Sequence, residues 1–157
     1  LDSSAASDVY KRQDLYLDVE SRKNSITYRS NLSRLVDQLI IENNFIDAER
    51  ILDNCMQKLP IDKFGYYTLL EPFISSYYRL NKGEKARKIF DEIAAKYQEN
   101  LFYYSTFSNS AKNRYAEEIY TDIERYRSLV DVLINFEEEE FLDTRMKEFN
   151  DYLDLFL

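Results

Sequence analysis

The sequence of 157 residues contains no histidine and no tryptophan, and it has only two glycines, two prolines and one cysteine. Without histidine the chain has no Ser-His or Cys-His nucleophile pair, no His-ligated zinc and no imidazole general base. Average usage of about 7% Gly and about 5% Pro would give a chain of this length roughly eleven glycines and eight prolines. β-Sandwiches, barrels and glycine-rich nucleotide-binding loops need many turns with positive φ. The composition therefore predicts an all-α protein with no catalytic residue, no metal site and no cofactor.

Acidic residues outnumber basic ones by 29 to 21, which gives the chain a net charge of −8. Nucleic acids and anionic membranes attract proteins through Lys and Arg side chains, so neither is an expected partner. No apolar run approaches the roughly 20 residues of a membrane-spanning helix. We therefore expect this chain itself to be soluble.

Residues 1–13, LDSSAASDVYKRQ, are small and polar and lack the periodicity that follows them. Within them, residues 3–13 resemble the in-frame translation of a transposase adapter used to prepare sequencing libraries. A non-native leader of this kind would mean that the natural N-terminal side of the gene was cut off, whereas the alternative is an ordinary disordered tail. We therefore expect one helical domain over residues 14–157.

Apolar residues recur at helical spacing through the rest of the chain and form three helical pairs, over residues 28–60, 66–104 and 110–157. Asn44 is a candidate N-cap, and Pro60 is expected to end a helix. Pro72 is expected either to follow a short helical turn or to be the first residue of a restarted helix. The third pair is less regular, and we interpret it as a divergent unit that caps the array. The stripes of the first two pairs are Leu32, Leu35, Leu39 and Ile40; Phe45, Ala48, Ile51, Leu52, Cys55 and Leu59; Leu70, Phe73, Ile74 and Tyr77; and Ala86, Ile89, Phe90, Ile93 and Tyr97.

The first two pairs fit the register of a tetratricopeptide repeat. Ala48 and Ala86 both fall at the position where a small residue lets the two helices of a repeat cross closely. They lie 38 residues apart, more than the roughly 34 residues of the standard repeat, and the surplus falls in the connection 61–66. The pattern predicts a right-handed, tetratricopeptide-like solenoid of about six to seven helices. Generic antiparallel helical hairpins are the alternative.

Repeat proteins of this kind line an inner groove with the first helix of each pair, at positions 2, 5, 9 and 12 of the register. Here that lining is polar with acidic points, and it lacks the Lys/Asn arrangement that captures a peptide C-terminal carboxylate. We predict that the groove binds a protein or peptide partner. The candidate binding residues are Ser33, Asp37, Ile40, Glu71, Ser75 and Tyr78, with Ser30 and Thr68 at the first position of each set.

Three further features have both a functional and a structural interpretation. The run Glu137–Glu140 could hold a cation, but consecutive carboxylates at a helix start point in different directions and favour the positive end of the helix. Cys55 lies on an apolar stripe, which favours a core position over a reactive thiol. The fourteen tyrosines could recognise carbohydrate or peptide. Tyr77, Tyr97, Tyr115 and Tyr126 lie on apolar stripes and are expected to be structural, whereas Tyr28, Tyr66 and Tyr78 lie off them.

Four segments between residues 27 and 104 carry a family resemblance: TYRSNLSRLVDQLI, DNCMQKLP, YYTLLEPFISSYYRLNKGEKA and IFDEIAAKYQENLFYY. Together they resemble the C-terminal region of a bacterial family of multi-spanning membrane proteins, domain-of-unknown-function family 2723. The shared features are a Cys-Met-x-x-x-Pro helix end, a following Tyr-Tyr pair and a proline within the next helix. The resemblance covers most of residues 14–157 and is loose after residue 110.

Members of that family resemble protein O-mannosyltransferases and are treated as membrane-embedded glycosyltransferases that use lipid-linked sugars. The resemblance implies that this chain is a non-catalytic, extracytoplasmic part of a bacterial inner-membrane protein, whose partner is an acceptor protein, another subunit or the parent's own membrane domain. The family's catalytic residues would lie in the membrane part, so none is assigned here. The alternative is a free-standing tetratricopeptide-like adaptor that binds a protein partner, and an autonomous enzyme is the least favoured interpretation.

Overall fold

A computed structural model describes residues 19–65, 67–136 and 138–157. Over these residues the chain is all-α, as predicted, with eight α-helices, two short 3-10 helices and no β-strand. The expected leader, residues 1–13, lies outside the described residues. The α-helices are α1 (Val19–Ile41), α2 (Phe45–Lys58), α3 (Ile61–Phe64), α4 (Glu71–Arg79), α5 (Gly83–Ser105), α6 (Asn109–Arg114), α7 (Ala116–Ile134) and α8 (Glu139–Leu153), and the 3-10 helices are Tyr67–Leu69 and Asp154–Phe156.

Helix ends fall where the local sequence signals place them. The Asn44 side chain accepts a hydrogen bond from the Asp47 amide and begins α2, which satisfies one of the free N–H groups of its first turn. Pro60 immediately follows the last capping residue of α2, and Pro72 lies in the first turn of α4. Ser108 caps α6 by accepting from the amide of Ala111. The short helices α3 and α6 lie in connections where periodicity alone gave no stripe.

The helices pack as hairpins, α1 with α2, α4 with α5, and α7 with α8. Each hairpin is joined by a turn of only a few residues, which forces the two helices to run antiparallel. Neighbouring hairpins also touch, because α4 contacts both α1 and α2, and α7 contacts both α4 and α5. The buried side chains of all three hairpins form one continuous apolar core.

Ala48 and Ala86, the residues expected at the helix crossings, are both fully buried in this core. The apolar stripe of the first hairpin differs from that of the second at one matching position. Leu35 is 44% exposed, whereas Phe73, 38 residues later in the same register, is 0% exposed. The helices that carry these two residues have different neighbours, since α4 packs against α1, α2, α5 and α7, whereas the main helical neighbours of α1 among the described residues are α2 and α4.

An arginine is completely buried on the inner face of α1. The Arg29 guanidinium donates one hydrogen bond to the Leu59 carbonyl at 2.7 Å and another to the Gly65 carbonyl at 2.5 Å. Burial lowers the pKa of Arg29, and the nearby Cys55 works in the opposite direction. Gly65 has φ +65°, a left-handed conformation that favours glycine. Arg29 therefore ties the long connection between the first two hairpins to α1.

Most tyrosines on the apolar stripes are structural. Tyr77, Tyr97 and Tyr126 are buried, and the rings of Tyr97 and Tyr126 stack with centroids 5.9 Å apart across α5 and α7. Tyr115, which precedes the first residue of α7, is instead 39% exposed, and its ring packs against Phe107 with centroids 5.5 Å apart. Among residues 19–65, 67–136 and 138–157, no helix combines the length and the apolar character that crossing a membrane requires.

Candidate functional site

A groove of about 630 Å³ lies between α1 and the start of α4, including the 3-10 helix that precedes α4. The residues assigned to an inner groove by the repeat register come from two segments that are far apart in sequence. The structure brings six of those eight residues together in this groove. They are Ser30, Ser33 and Asp37 from α1, and Thr68, Glu71 and Ser75 from the second hairpin.

The structure places the other two candidate residues, Ile40 and Tyr78, in the core instead of in the groove. Ile40 lies one helical turn beyond Val36, which is fully buried. Tyr78 stacks on Phe136, with ring centroids 4.7 Å apart, so the turn between α7 and α8 covers it. Both side chains lie near the C-terminal ends of their helices, where the turns of the hairpins close over them.

The α1 side of the groove carries Arg34 and Asp37, and a second basic residue reaches Asp37 from α4. Arg79 of α4 forms an ion pair with Asp37, with 2.6 Å between Nη1 and Oδ1. Arg34 also lines this wall. It is exposed and forms no ion pair within the described ranges. The register does not include Arg34 among its groove positions, and only the shape of the groove identifies it.

The opposite wall contains the half-buried carboxylate of Glu71, at the first residue of α4. Its only hydrogen-bonding partner among the described side chains is Ser128 of α7, whose hydroxyl donates to Oε1 at 3.4 Å. Burial raises the pKa of Glu71 and the nearby Asp131 raises it further, while the Ser128 hydroxyl works in the opposite direction. Glu71 is therefore a carboxylate that has lost part of its hydration without gaining a cation.

The remaining polar groups of the groove are hydroxyls. Ser76 is buried and donates to the Pro72 carbonyl at 2.9 Å, so its hydroxyl serves α4 itself. Within the described part of the chain, the other four hydroxyls form no hydrogen bond. They are Ser30, Ser33, Thr68 and Ser75. A hydroxyl can both donate and accept a hydrogen bond, which suits the N–H and C=O groups of an extended main chain.

A polar network continues from the 3-10 helix beside the groove to α7. The Asn100 amide donates to the Tyr67 hydroxyl at 3.0 Å and to the Asp122 carboxylate at 3.1 Å. Burial raises the pKa of Asp122, against the opposing effects of Asn100 and Arg125. Through Asn100, the 3-10 helix beside the groove is therefore connected to Asp122, a second partly desolvated carboxylate.

A second cavity, of about 640 Å³, lies on the other side of the hairpins between α2, α3 and α5. Several charged groups in and beside it pair with each other. Lys85 approaches Glu49 and Asp53 at 2.7 Å each, and the Tyr77 hydroxyl donates to Asp53 at 2.7 Å. Hydrogen bonds from Lys85 and Lys82 lower the pKa of Glu49. This network joins α2 to α5, and the sequence patterns gave no indication of it.

Two other sequence features have structural roles in the part of the chain that the structure describes. Glu138 pairs with Arg87 of α5 at 2.9 Å, Glu139 begins α8, and Glu137 lies outside the described residues. The described residues include no group of three or more His, Cys, Asp and Glu side chains that could hold a metal ion. Cys55 is buried as expected, and burial raises the pKa of its thiol to about 11.

Comparison of the chain with protein-family models, with curated proteins and with solved structures gives no match. Functional interpretation therefore depends on the geometry and chemistry of the groove.

Proposed function

We propose that this chain is a non-catalytic helical-repeat domain whose groove between α1 and α4 binds an extended segment of a protein partner. The observation that carries the proposal is the convergence of Ser33, Asp37, Glu71 and Ser75 in one groove. The repeat register alone places these residues on one face, and within the described residues the groove presents four hydroxyls that form no hydrogen bond and a Glu71 carboxylate that has no ion pair. Such a lining recognises a polar main chain and charged side chains.

The architecture that we propose for the three hairpins is a short tetratricopeptide-like, right-handed solenoid. Its support is the sequence of contacts between hairpins, in which the first helix of each pair lies against the preceding pair, as in stacked repeats. The burial of Ala48 and Ala86 at equivalent positions also supports it. The last hairpin closes the array with a polar outer face that includes exposed Glu139, Asp143 and Asp151.

The biological setting that we propose follows from the resemblance of residues 27–104 to the C-terminal region of the membrane-embedded, glycosyltransferase-like family. In that setting the domain lies outside the cytoplasm and positions an acceptor protein or a partner subunit for the membrane part. The upstream reading frame of an untruncated gene separates this proposal from a free-standing adaptor. A membrane span encoded before residue 14 supports the first, and an initiating methionine near Asp14 supports the second.

Selection of random linear peptides displayed on phage, with the purified chain as bait, tests the groove. Ser33→Arg and Ser75→Arg each place a large side chain in the groove, and Ser110→Arg makes the same change at an exposed position on α6. We expect selected peptides to lose at least about tenfold in affinity, or 1.4 kcal/mol, for both groove variants. The Ser110→Arg variant should bind like the parent chain.

Circular dichroism melts of all three variants establish that each is folded before binding is compared. Peptides that bind the groove variants and the parent chain equally, or a failure to select any peptide, would refute the proposed function. The first result would indicate a binding surface elsewhere on the molecule.

A further inference from the structure

We infer that the groove selects segments with a Lys or Arg side chain, which pairs with Glu71. This inference rests on the proposed function, because it names the chemistry of the partner that the same groove would hold. Glu71 lines the groove, and among the described side chains its only hydrogen-bonding partner is the Ser128 hydroxyl, at 3.4 Å.

The Glu71 carboxylate lies in an environment that disfavours its negative charge. Glu71 is half-buried, and Asp131 adds a second negative charge nearby. A carboxylate that has lost hydration is stabilised by a cation that it can contact directly. A Lys or Arg side chain that enters the groove would supply this cation and would gain a charge-assisted hydrogen bond.

The other charges around the groove differ between its two sides. On the opposite wall, Arg79 already neutralises Asp37 at 2.6 Å, and Arg34 is exposed there. Asp131 of α7 adds a negative charge near Glu71, whereas the charge of Asp122 on the same helix is opposed by Arg125. The unpaired negative charge among the described residues around the groove therefore lies at Glu71 and Asp131, and this is where a basic side chain would lie.

The hydroxyls of the groove indicate the class of ligand. Four hydroxyls that form no hydrogen bond within the described ranges lie on both walls of one open groove, and they are Ser30, Ser33, Thr68 and Ser75. Hydroxyls on both sides can bond the alternating N–H and C=O groups of an extended chain, while the carboxylate selects one side chain of it. The groove therefore favours a peptide with a basic residue at a fixed place over a neutral or acidic one.

The experiment sequences peptides selected by three baits, which are the parent chain, Glu71→Gln and Glu71→Lys, with Glu84→Gln as the matched control. Glu84 is an exposed glutamate in the first turn of α5. We expect the parent chain and Glu84→Gln to enrich Lys or Arg at one position of the selected peptides. For those peptides Glu71→Gln should weaken binding about tenfold, and Glu71→Lys should instead enrich Asp or Glu at that position.

Titration of one selected peptide into each isotope-labelled variant, followed by NMR, reports the location of binding. Perturbed signals from Ser33, Thr68 and Ser75 support the inference when Glu71→Gln removes the Lys or Arg preference. Some peptides could lose affinity for Ser33→Arg and Ser75→Arg but bind Glu71→Gln with the same affinity as the parent chain. Such peptides would overturn this inference and leave the proposed function standing. Loss of all groove-dependent binding would overturn both.

Discussion

Replacement of the buried Arg29 by methionine is expected to weaken the attachment between the first two hairpins. Arg29 is fully buried and bonds two carbonyl groups, at Leu59 and Gly65, that end α2 and α3. Arg29→Met keeps a side chain of similar length but leaves both carbonyls without this donor. The connection between the first two hairpins would then lose its attachment to α1.

The magnitude follows from the two bonds and from the charge that is removed. A hydrogen bond to a charged group contributes about 1.5 to 3 kcal/mol, so two represent about 3 to 6 kcal/mol. Removal of the guanidinium also removes its desolvation cost, which offsets part of this loss. We therefore expect Arg29→Met to lower the free energy of unfolding by about 2 to 4 kcal/mol, a large fraction of the roughly 5 to 15 kcal/mol typical of a domain.

Urea denaturation followed by circular dichroism measures this change, with the denaturant dependence compared between variants. Arg34→Met on the exposed side of the same helix is the matched control, and its effect should stay within about 0.5 kcal/mol. Arg29→Lys keeps the charge but not the forked geometry that reaches two carbonyls, so its stability should lie between those of Arg29→Met and the parent chain. A stability of Arg29→Met equal to that of Arg34→Met would refute the assigned role of Arg29.

Three further predictions concern the core. Ala48→Leu and Ala86→Leu should each lower stability by about 1 to 3 kcal/mol through overpacking, and unchanged thermal midpoints in both would contradict close crossings at these residues. Leu70→Ala, at a fully buried site, should lower the free energy of unfolding by about 2 to 5 kcal/mol. Leu35→Ala should lower it by about 1 kcal/mol, because much of the Leu35 side chain is already in water. Equal losses in urea titrations would contradict the exposure of Leu35 on α1. Burial raises the pKa of Cys55 in the folded protein to about 11, so its contribution to stability is fully present below the ordinary thiol pKa and is lost as the pH rises from that ordinary value through about 11. A thiol reagent should therefore react with native protein near pH 8 only as fast as the chain opens, and rapid labelling of the folded chain would contradict burial.

Features that depend on a few neighbouring residues could be predicted from the sequence. The Asn44 cap and the positions of Pro60 and Pro72 involve one helical turn each, and a turn adopts its geometry through local hydrogen bonds. The burial of Ala48 and Ala86 was also predictable, because both lie at the same place in a periodic pattern. These signals do not require knowledge of what packs on the other side.

The repeat register selected eight residues for the candidate groove, and six of them line it. The register identified Ser33, Asp37, Glu71 and Ser75, since residues on one helical face share a direction. It could not exclude Ile40 and Tyr78, because their burial depends on hairpin ends that close over them, and for Tyr78 on the ring of Phe136 from a later hairpin.

The sequence by itself determined an all-α chain, the ends of its main helices and the burial of two small residues, Ala48 and Ala86, because composition, capping and periodicity act over short distances. Tertiary structure decided the burial and hydrogen bonding of individual residues, including residues at equivalent positions of the repeat. Leu35 is exposed where Phe73 is buried, Arg29 enters the core to bond two distant carbonyls, and Glu71 is desolvated beside α7. The physical reason is that burial and hydrogen-bond satisfaction depend on the neighbouring helix, which a local pattern does not specify.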